Sequence, residues 1–167
     1  MTPRKILLGA VLAVAATVAL AFAVSAAADR GHDKGEHRGK TIFASRLVGS
    51  KPAPTDPALH NVAPGGVPWD GGGSVTIQRD GKTSVRIRGL VITGVGNTGP
   101  VKTVSASLFC GDSTTPSATT PQVLLSAGGN ADIRTRLSLP ATCLGPFVLV
   151  HPNGNVHAYI AATGWRG

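Results

Sequence analysis

Glutamate is almost missing from this chain: Glu36 is the only one in 167 residues, and the acidic total is eight. Hydrolysis by a carboxyl pair needs two such groups flanking one bond. Beyond residue 40 only Asp56, Asp70, Asp80, Asp112 and Asp132 can supply them. Asp80 is expected in a turn, Asp112 stands next but one to Cys110, and Asp132 lies among arginines. Aromatic residues make up only 4% of the chain, too few to build the stacking platforms that hold single-stranded nucleic acid, so no specific nucleic-acid partner is expected. There is no G-x-S-x-G elbow, no H-E-x-x-H and no phosphate-binding loop. No Cys or His pair has the spacing that completes a zinc site, and no cofactor is expected. A Ser/His/Asp triad needs no local signature, which keeps a small secreted enzyme as an alternative.

What the chain does have begins at its N-terminus. Arg4 and Lys5 precede an uncharged run of small and apolar residues, Ile6 to Val24, and two small-x-small sites follow, Val24-Ser25-Ala26 and Ala26-Ala27-Ala28. Basic, apolar and small-residue regions in that order are the layout of a secretory signal, read here as residues 1–28. The alternative is an uncleaved anchor: residues 6–24 as a helix would span about 28 Å, close to a bilayer core of about 30 Å. Loss of residues 1–28 would leave fourteen basic against eight acidic residues, lowering the net charge from +8 to +6. The remaining length suits one domain.

Export bears on the cysteines. Cys110 and Cys143 are the only two, and an even count in an oxidising compartment argues for a disulfide. Closing that loop would contribute about 3–4 kcal/mol on a chain-entropy account.

Asp29 to Lys40 is charged and Gly-rich and holds no large apolar residue. It reads as a disordered tether, and its His32 and His37 as solvated residues rather than metal ligands. Residues 41–68 provide a first strand, Thr41 to Gly49, and then a loop with prolines at 52, 54, 57, 64 and 68. From residue 69 to 167 the pattern is β. Ser74 to Gln78 alternates, Asp80-Gly81 suggests a type I′ turn, and Thr83 to Ile92 alternates again with Val85, Ile87 and Val91 on one parity. Further strands are expected at Val101 to Phe109, Gln122 to Ala127 and Ala131 to Leu139, with a last hairpin, Pro146 to Val150 and Val156 to Ala162, around Asn153-Gly154. No later segment has helical periodicity. The expected fold is all-β, an antiparallel sandwich of roughly seven to eight strands, with Trp69 and Trp165 in the core.

Two clusters are candidate sites. Arg86 and Arg88 share one strand parity, as do Arg134 and Arg136. On neighbouring strands they would form a cationic face suited to carboxylate or phosphate; the plainer reading is a solvent face with partners such as Asp132. His151 and His157 flank the last turn. A two-residue Asn-Gly loop would pair His151 with Val156 and turn the histidines to opposite faces, whereas a three-residue loop would set them opposite each other as a metal or acid–base pair.

From Val67 onward the chain resembles a group of small exported actinobacterial proteins without assigned activity. The similarity is carried by Val67-Pro68-Trp69, Val85 to Leu90, Val104 to Cys110, Cys143, and Val148 to Gly154. It implies a secreted β domain with Cys110 paired to Cys143, and no functional site. The strand–Asp-Gly–strand–Gly-Leu pattern also looks like chordin-type extracellular β modules, although the His-rich segment that follows Gly-Leu in those modules is absent from Val91 to Pro100.

The reading is therefore a secreted or envelope-associated, non-enzymatic interaction module, with an anionic envelope polymer or another extracellular protein as partner. The alternatives are a secreted enzyme, metal-assisted at the terminal hairpin, and a structural envelope protein without a discrete ligand. Intact-mass analysis of exported protein is expected to show a chain starting at Ala27 or Asp29; a full-length mass in the membrane fraction would favour the anchor.

Overall fold

Alternation of apolar and polar residues through 74–78 and 83–88 builds a hairpin that buries one face. The computed structural model describes residues 39–164; the signal segment, residues 29–38 of the expected tether with His32 and His37, and Trp165 lie outside them, while the Lys40 carbonyl accepts from Arg79 N–H at 2.8 Å. Eleven strands occur in this stretch: β1 (Thr41–Gly49), β2 (Ala63–Pro64), β3 (Trp69–Gln78), β4 (Lys82–Ile92), β5 (Thr103–Phe109), β6 (Ala118–Thr119), β7 (Val123–Leu124), β8 (Ala131–Arg136), β9 (Phe147–Pro152), β10 (Ala158–Tyr159) and β11 (Ala161–Thr163). Among the described residues there is no helix.

One antiparallel sheet runs β6–β5–β9–β11–β1–β3–β4–β8, with β7 also paired to β5. It curls so that its two halves face each other. Val75, Ile77, Val85, Ile87 and Ile133 from one half join Val104, Ala106, Leu108, Val148 and Val150 from the other in a single buried cluster. The result is the sandwich expected, made from one sheet folded over itself. Each Leu, Ile or Val buried there contributes about 1.5–3 kcal/mol. Trp69 is in this core. The Cys110–Cys143 disulfide ties the end of β5 to the loop before β9.

β1 is the central joint. It pairs with β3 along Ala44↔Thr76, Arg46↔Ser74 and Val48↔Gly72, and with β11 at Leu47↔Thr163 and Gly49↔Ala161. Residues 41–49 thus lie inside the sheet, joined by hydrogen bonds to both halves.

Three local expectations change. The 79–81 turn has positive φ only at Gly81, and Gly81 N–H donates to Gln78 O at 2.9 Å. It is a three-residue loop in which the Asp80 carboxylate accepts from Lys82 N–H, rather than a type I′ turn, where both central residues have positive φ. In β4 the buried residue after Ile87 is Leu90, fully enclosed, while Val91 is only half-buried. A register shift between Asp70 and Gly72, with Gly71 at φ 83° and Gly89 at φ 61°, changes the phase of the strand by one residue. Lastly, β9 and the segment after it do not form a simple hairpin. Asn153 and Gly154 make a tight turn with positive φ at both, closed by Asn155 N–H to Pro152 O at 2.8 Å. A second turn follows at once, with Ala158 N–H to Asn155 O, and β10 pairs in parallel with β2 instead.

This parallel pair carries the proline-rich loop over the outer face of β5 and β9. Gly65 N–H donates to Tyr159 O at 2.8 Å, Tyr159 Oη donates to Pro57 O at 2.8 Å, and Ser50 N–H donates to Ile160 O at 2.9 Å. Beneath the loop lies a second small core of Val62, Phe109, Leu149 and Tyr159.

A Cβ at Gly71 would stand 2.1 Å from Gly89 O, in a backbone conformation that L side chains avoid. Gly71→Ala is expected to destabilise the domain by about 2–4 kcal/mol, read by urea unfolding. An unchanged midpoint would mean that the bulge is not needed.

Candidate functional site: an open cationic face and a covered histidine cavity

The strand register places the four predicted arginines on one face. Along β4 and β8, Lys82 stands opposite Arg136, Ser84 opposite Arg134 and Arg86 opposite Asp132; directly opposed residues share a face, and Arg88 keeps the parity of Arg86. All four are exposed. They are not equivalent. The Arg88 guanidinium donates to both oxygens of Asp132 at 3.0 Å and to the carbonyls of Ile87 and Ala131. Arg136 pairs with the Asp80 carboxylate at 3.2 Å and also donates to the Asp80 carbonyl. The Lys82 N–H, followed by the charges of Arg136 and Lys82, holds the Asp80 carboxyl below its ordinary range. Arg86 faces Asp132 in register, but Arg88 occupies that carboxylate. Among the described residues Arg86 and Arg134 have no ion pair.

Sequence reasoning missed Arg46. It lies opposite Ser74, which lies opposite Arg86, so Arg46, Ser74, Arg86 and Asp132 form one row across four strands. With strands about 4.8 Å apart, Arg46 and Arg86 stand roughly 10 Å from each other at the backbone. The exposed cation in TIFASRLVG was visible; the sheet position of β1 was not. A shallow groove of about 270 Å³ crosses this face, bordered by Thr76, Gln78, Lys82, Ser84 and Arg134.

The opposite end of the sheet is different. His151 in β9 stands opposite Ser105 of β5, not opposite Val156, and is completely buried. Its Nδ1 lies 2.8 Å from Ala158 O, a contact that requires Nδ1–H as donor and leaves Nε2 as a lone-pair acceptor. Nε2 is buried and has no hydrogen-bond partner. Burial is the larger influence and pushes the imidazole pKa down from 6.5, with the Ala158 carbonyl acting against it.

The double turn brings His157 to the same cavity as His151, and His60 joins them there. The cavity measures about 310 Å³. His60 has φ 51°, places Nδ1 2.8 Å from Ser113 O, and stacks on Phe109 at 4.7 Å between ring centres. Ser107 also lines the cavity, with Oγ 2.9 Å from Thr119 Oγ1. None of the lining residues is acidic, and the described residues contain no group of three His, Cys, Asp or Glu side chains arranged to hold a metal ion. The cavity can thus accept hydrogen bonds, but it has no carboxylate to orient or charge an imidazole.

The chain matches no protein-family model, no curated protein and no solved structure.

A histidine whose folded pKa lies below its unfolded value binds fewer protons when folded, so stability rises with pH between the two values. His151 therefore favours the fold above about pH 6.5, and the fold loses that margin as pH falls towards the depressed value. Thermal unfolding is expected to show a drop in Tm from about pH 7 to about pH 5 that shrinks in His151→Asn. A drop of equal size in the variant would assign the titration elsewhere.

Proposed function

We propose that this protein is an exported, non-enzymatic β-sandwich module whose open face, formed by β1, β3, β4 and β8, binds an anionic polymer of the cell envelope. The observation that carries the reading is the pair of exposed guanidiniums, Arg86 and Arg134, which have no ion pair among the described residues, with Arg46 in the same row as Arg86. Arg88 and Arg136 have their own carboxylates and serve to fix the face. Guanidiniums spaced along a sheet suit a repeating carboxylate or phosphate, which each can engage through two parallel hydrogen bonds.

Export is supported by the layout of residues 1–28 and fits the Cys110–Cys143 disulfide. If residues 6–24 were retained as an anchor, the module would stay at the membrane and the polymer would be one within reach of it. An enzymatic reading at the terminal turn is less well supported, because the cavity that holds His151 and His157 is lined by no carboxylate.

On a polyphosphate or cell-wall polymer resin, the protein is expected to be retained in a salt-sensitive way. Arg86→Gln with Arg134→Gln should weaken retention about three- to tenfold, and Arg88→Gln with Arg136→Gln should weaken it less. Equal retention of all variants would count against this face as the binding surface.

A further inference from the structure

The two ends of the sandwich differ in charge and in exposed apolar surface. At one end β1, β4 and β9 begin and β3, β5 and β8 finish, as the pairs Thr41↔Gln78, Lys82↔Arg136 and Phe109↔Phe147 show. Four exposed cations lie there, Lys40, Arg79, Lys82 and Arg136, against the exposed carboxylates of Asp80 and Asp112. Asp80 is engaged by Lys82 and Arg136. Lys40 and Arg79 are joined through the backbone by Arg79 N–H to Lys40 O, and among the described residues neither has an ion pair. The opposite end balances Lys51 and Lys102 with Asp56 and Asp70. Beside the first set of cations an apolar cleft of about 130 Å³ opens into the core between the start of β1 and the 139–146 loop. The buried Ile77 and Leu108 form its floor, Ile42, Leu139, Pro140 and Ala141 surround it, and no charged or hydrogen-bonding side chain lines it. Ile42 is 48% exposed, and Leu144, in the same loop as Ala141, is 74% exposed. The chain also joins the domain here: Gly39 precedes β1 and lies against Asp80. Residues 29–38 reach at most about 36 Å, so a bilayer that held residues 6–24 would stand next to this end.

We propose that this end of the sandwich docks on a bilayer containing anionic lipid, with Ile42 and Leu144 entering the headgroup layer and Lys40 and Arg79 meeting lipid phosphates. Shallow apolar insertion and a few basic residues are each weak attachments to a membrane, and the two together reinforce each other. Exposed apolar side chains set beside charged ones are the mark of such a surface. A soluble anion would satisfy the cations and leave Ile42 and Leu144 in water. A second copy of the chain would bring the same excess of cations to this end and be repelled by it. An anionic bilayer supplies both the countercharge and the apolar phase. Because the strands run from end to end, docking would stand them off the membrane and leave the row of Arg46 and Arg86 open at the side. The attachment needs neither Arg86 nor Arg134, so it stands whether or not the cationic face binds a polymer.

The test is tryptophan quenching by brominated acyl chains, on the exported, disulfide-bonded protein with either of two reporters. Leu144→Trp reports on this end; Val95→Trp, at a position 59% exposed in the turn after β4, reports on the opposite end. On vesicles of equal parts phosphatidylglycerol and phosphatidylcholine, Leu144→Trp is expected to gain quenching over the unmodified protein, and Val95→Trp to gain none. On phosphatidylcholine alone neither should respond. Ala141→Trp repeats the measurement should Leu144→Trp fail to fold. Adding Lys40→Gln and Arg79→Gln to the reporter should lower vesicle affinity about fivefold for each charge removed, and Arg86→Gln with Arg134→Gln should lower it less. The proposal is overturned if the reporter at 144 is not quenched, if both ends are quenched equally, if neutral vesicles quench as well as anionic ones, or if loss of the Lys40 and Arg79 charges has no effect. A blue shift of that reporter on concentrating the protein without lipid would assign the apolar surface to a second copy and overturn it as well.

Discussion

The rest of the structure depends on the backbone pairing of β1 with both β3 and β11. A strand from the start of the domain is hydrogen-bonded between a hairpin that begins at Trp69, beyond the proline-rich loop, and a short strand, Ala161–Thr163, from much later in the sequence. Without it, β6–β5–β9–β11 and β3–β4–β8 would be two separate sheets. With it they are one, and the sheet twist brings Val75 and Val85 over Val104 and Val150 in a common core. These contacts join residues far apart in sequence, so the loop-closure entropy must be met before the core can form. The disulfide opposes part of that entropy by linking β5 to the approach of β9.

The same joint divides the outer surface. On the half made by β1, β3, β4 and β8, the outward residues Arg46, Ser74, Arg86, Arg88, Arg134 and Arg136 are exposed among the described residues, and arginine stands where alternation places it. On the β5–β9 half, the proline-rich loop and β10 lie across the outside and convert it into a second buried layer. One face is therefore cationic and open, and the other lacks Lys, Arg and carboxylate side chains around a cleft with the buried His151 among its lining residues. A single sheet thus carries two chemically different outer faces, with Ser74 and Arg86 on one and Ser107 and His151 on the other.

Much of this was legible from alternation. The β3–β4 hairpin, β5, β8, the inward set Val104, Ala106, Leu108 and Ile133, and the parity shared within each arginine pair all follow from period-2 patterning, whereas the pairing of β4 with β8 that joins the two pairs on one face does not. The disulfide followed from the expected compartment and an even cysteine count. What could not be read was whatever depends on a distant segment. Ser105 and Ser107 look like solvent-face residues, yet both are buried, because a loop some 45 residues earlier, 50–66, packs over them. Leu90 takes the place expected for Val91 because β4 carries one extra residue at Gly89–Leu90, opposite Gly71 of β3, and this bulge moves the phase. Arg46 joins the cationic row only once β1 has a place in the sheet. The terminal Asn-Gly turn formed with the local geometry its residues prefer, but the flanking chain left for β2, and so the positions of His151 and His157 could not be derived from hairpin register.

The most direct test of the central claim, that the outer surface has one anion-binding half and one covered half, is backbone amide mapping by NMR during titration with polyphosphate. The account predicts shifts confined to β1, β3, β4 and β8, largest around Arg46, Arg86 and Arg134, with β5, β9 and the 155–160 segment unmoved. Shifts centred on the histidine cavity, or spread evenly over every exposed cation, would contradict it.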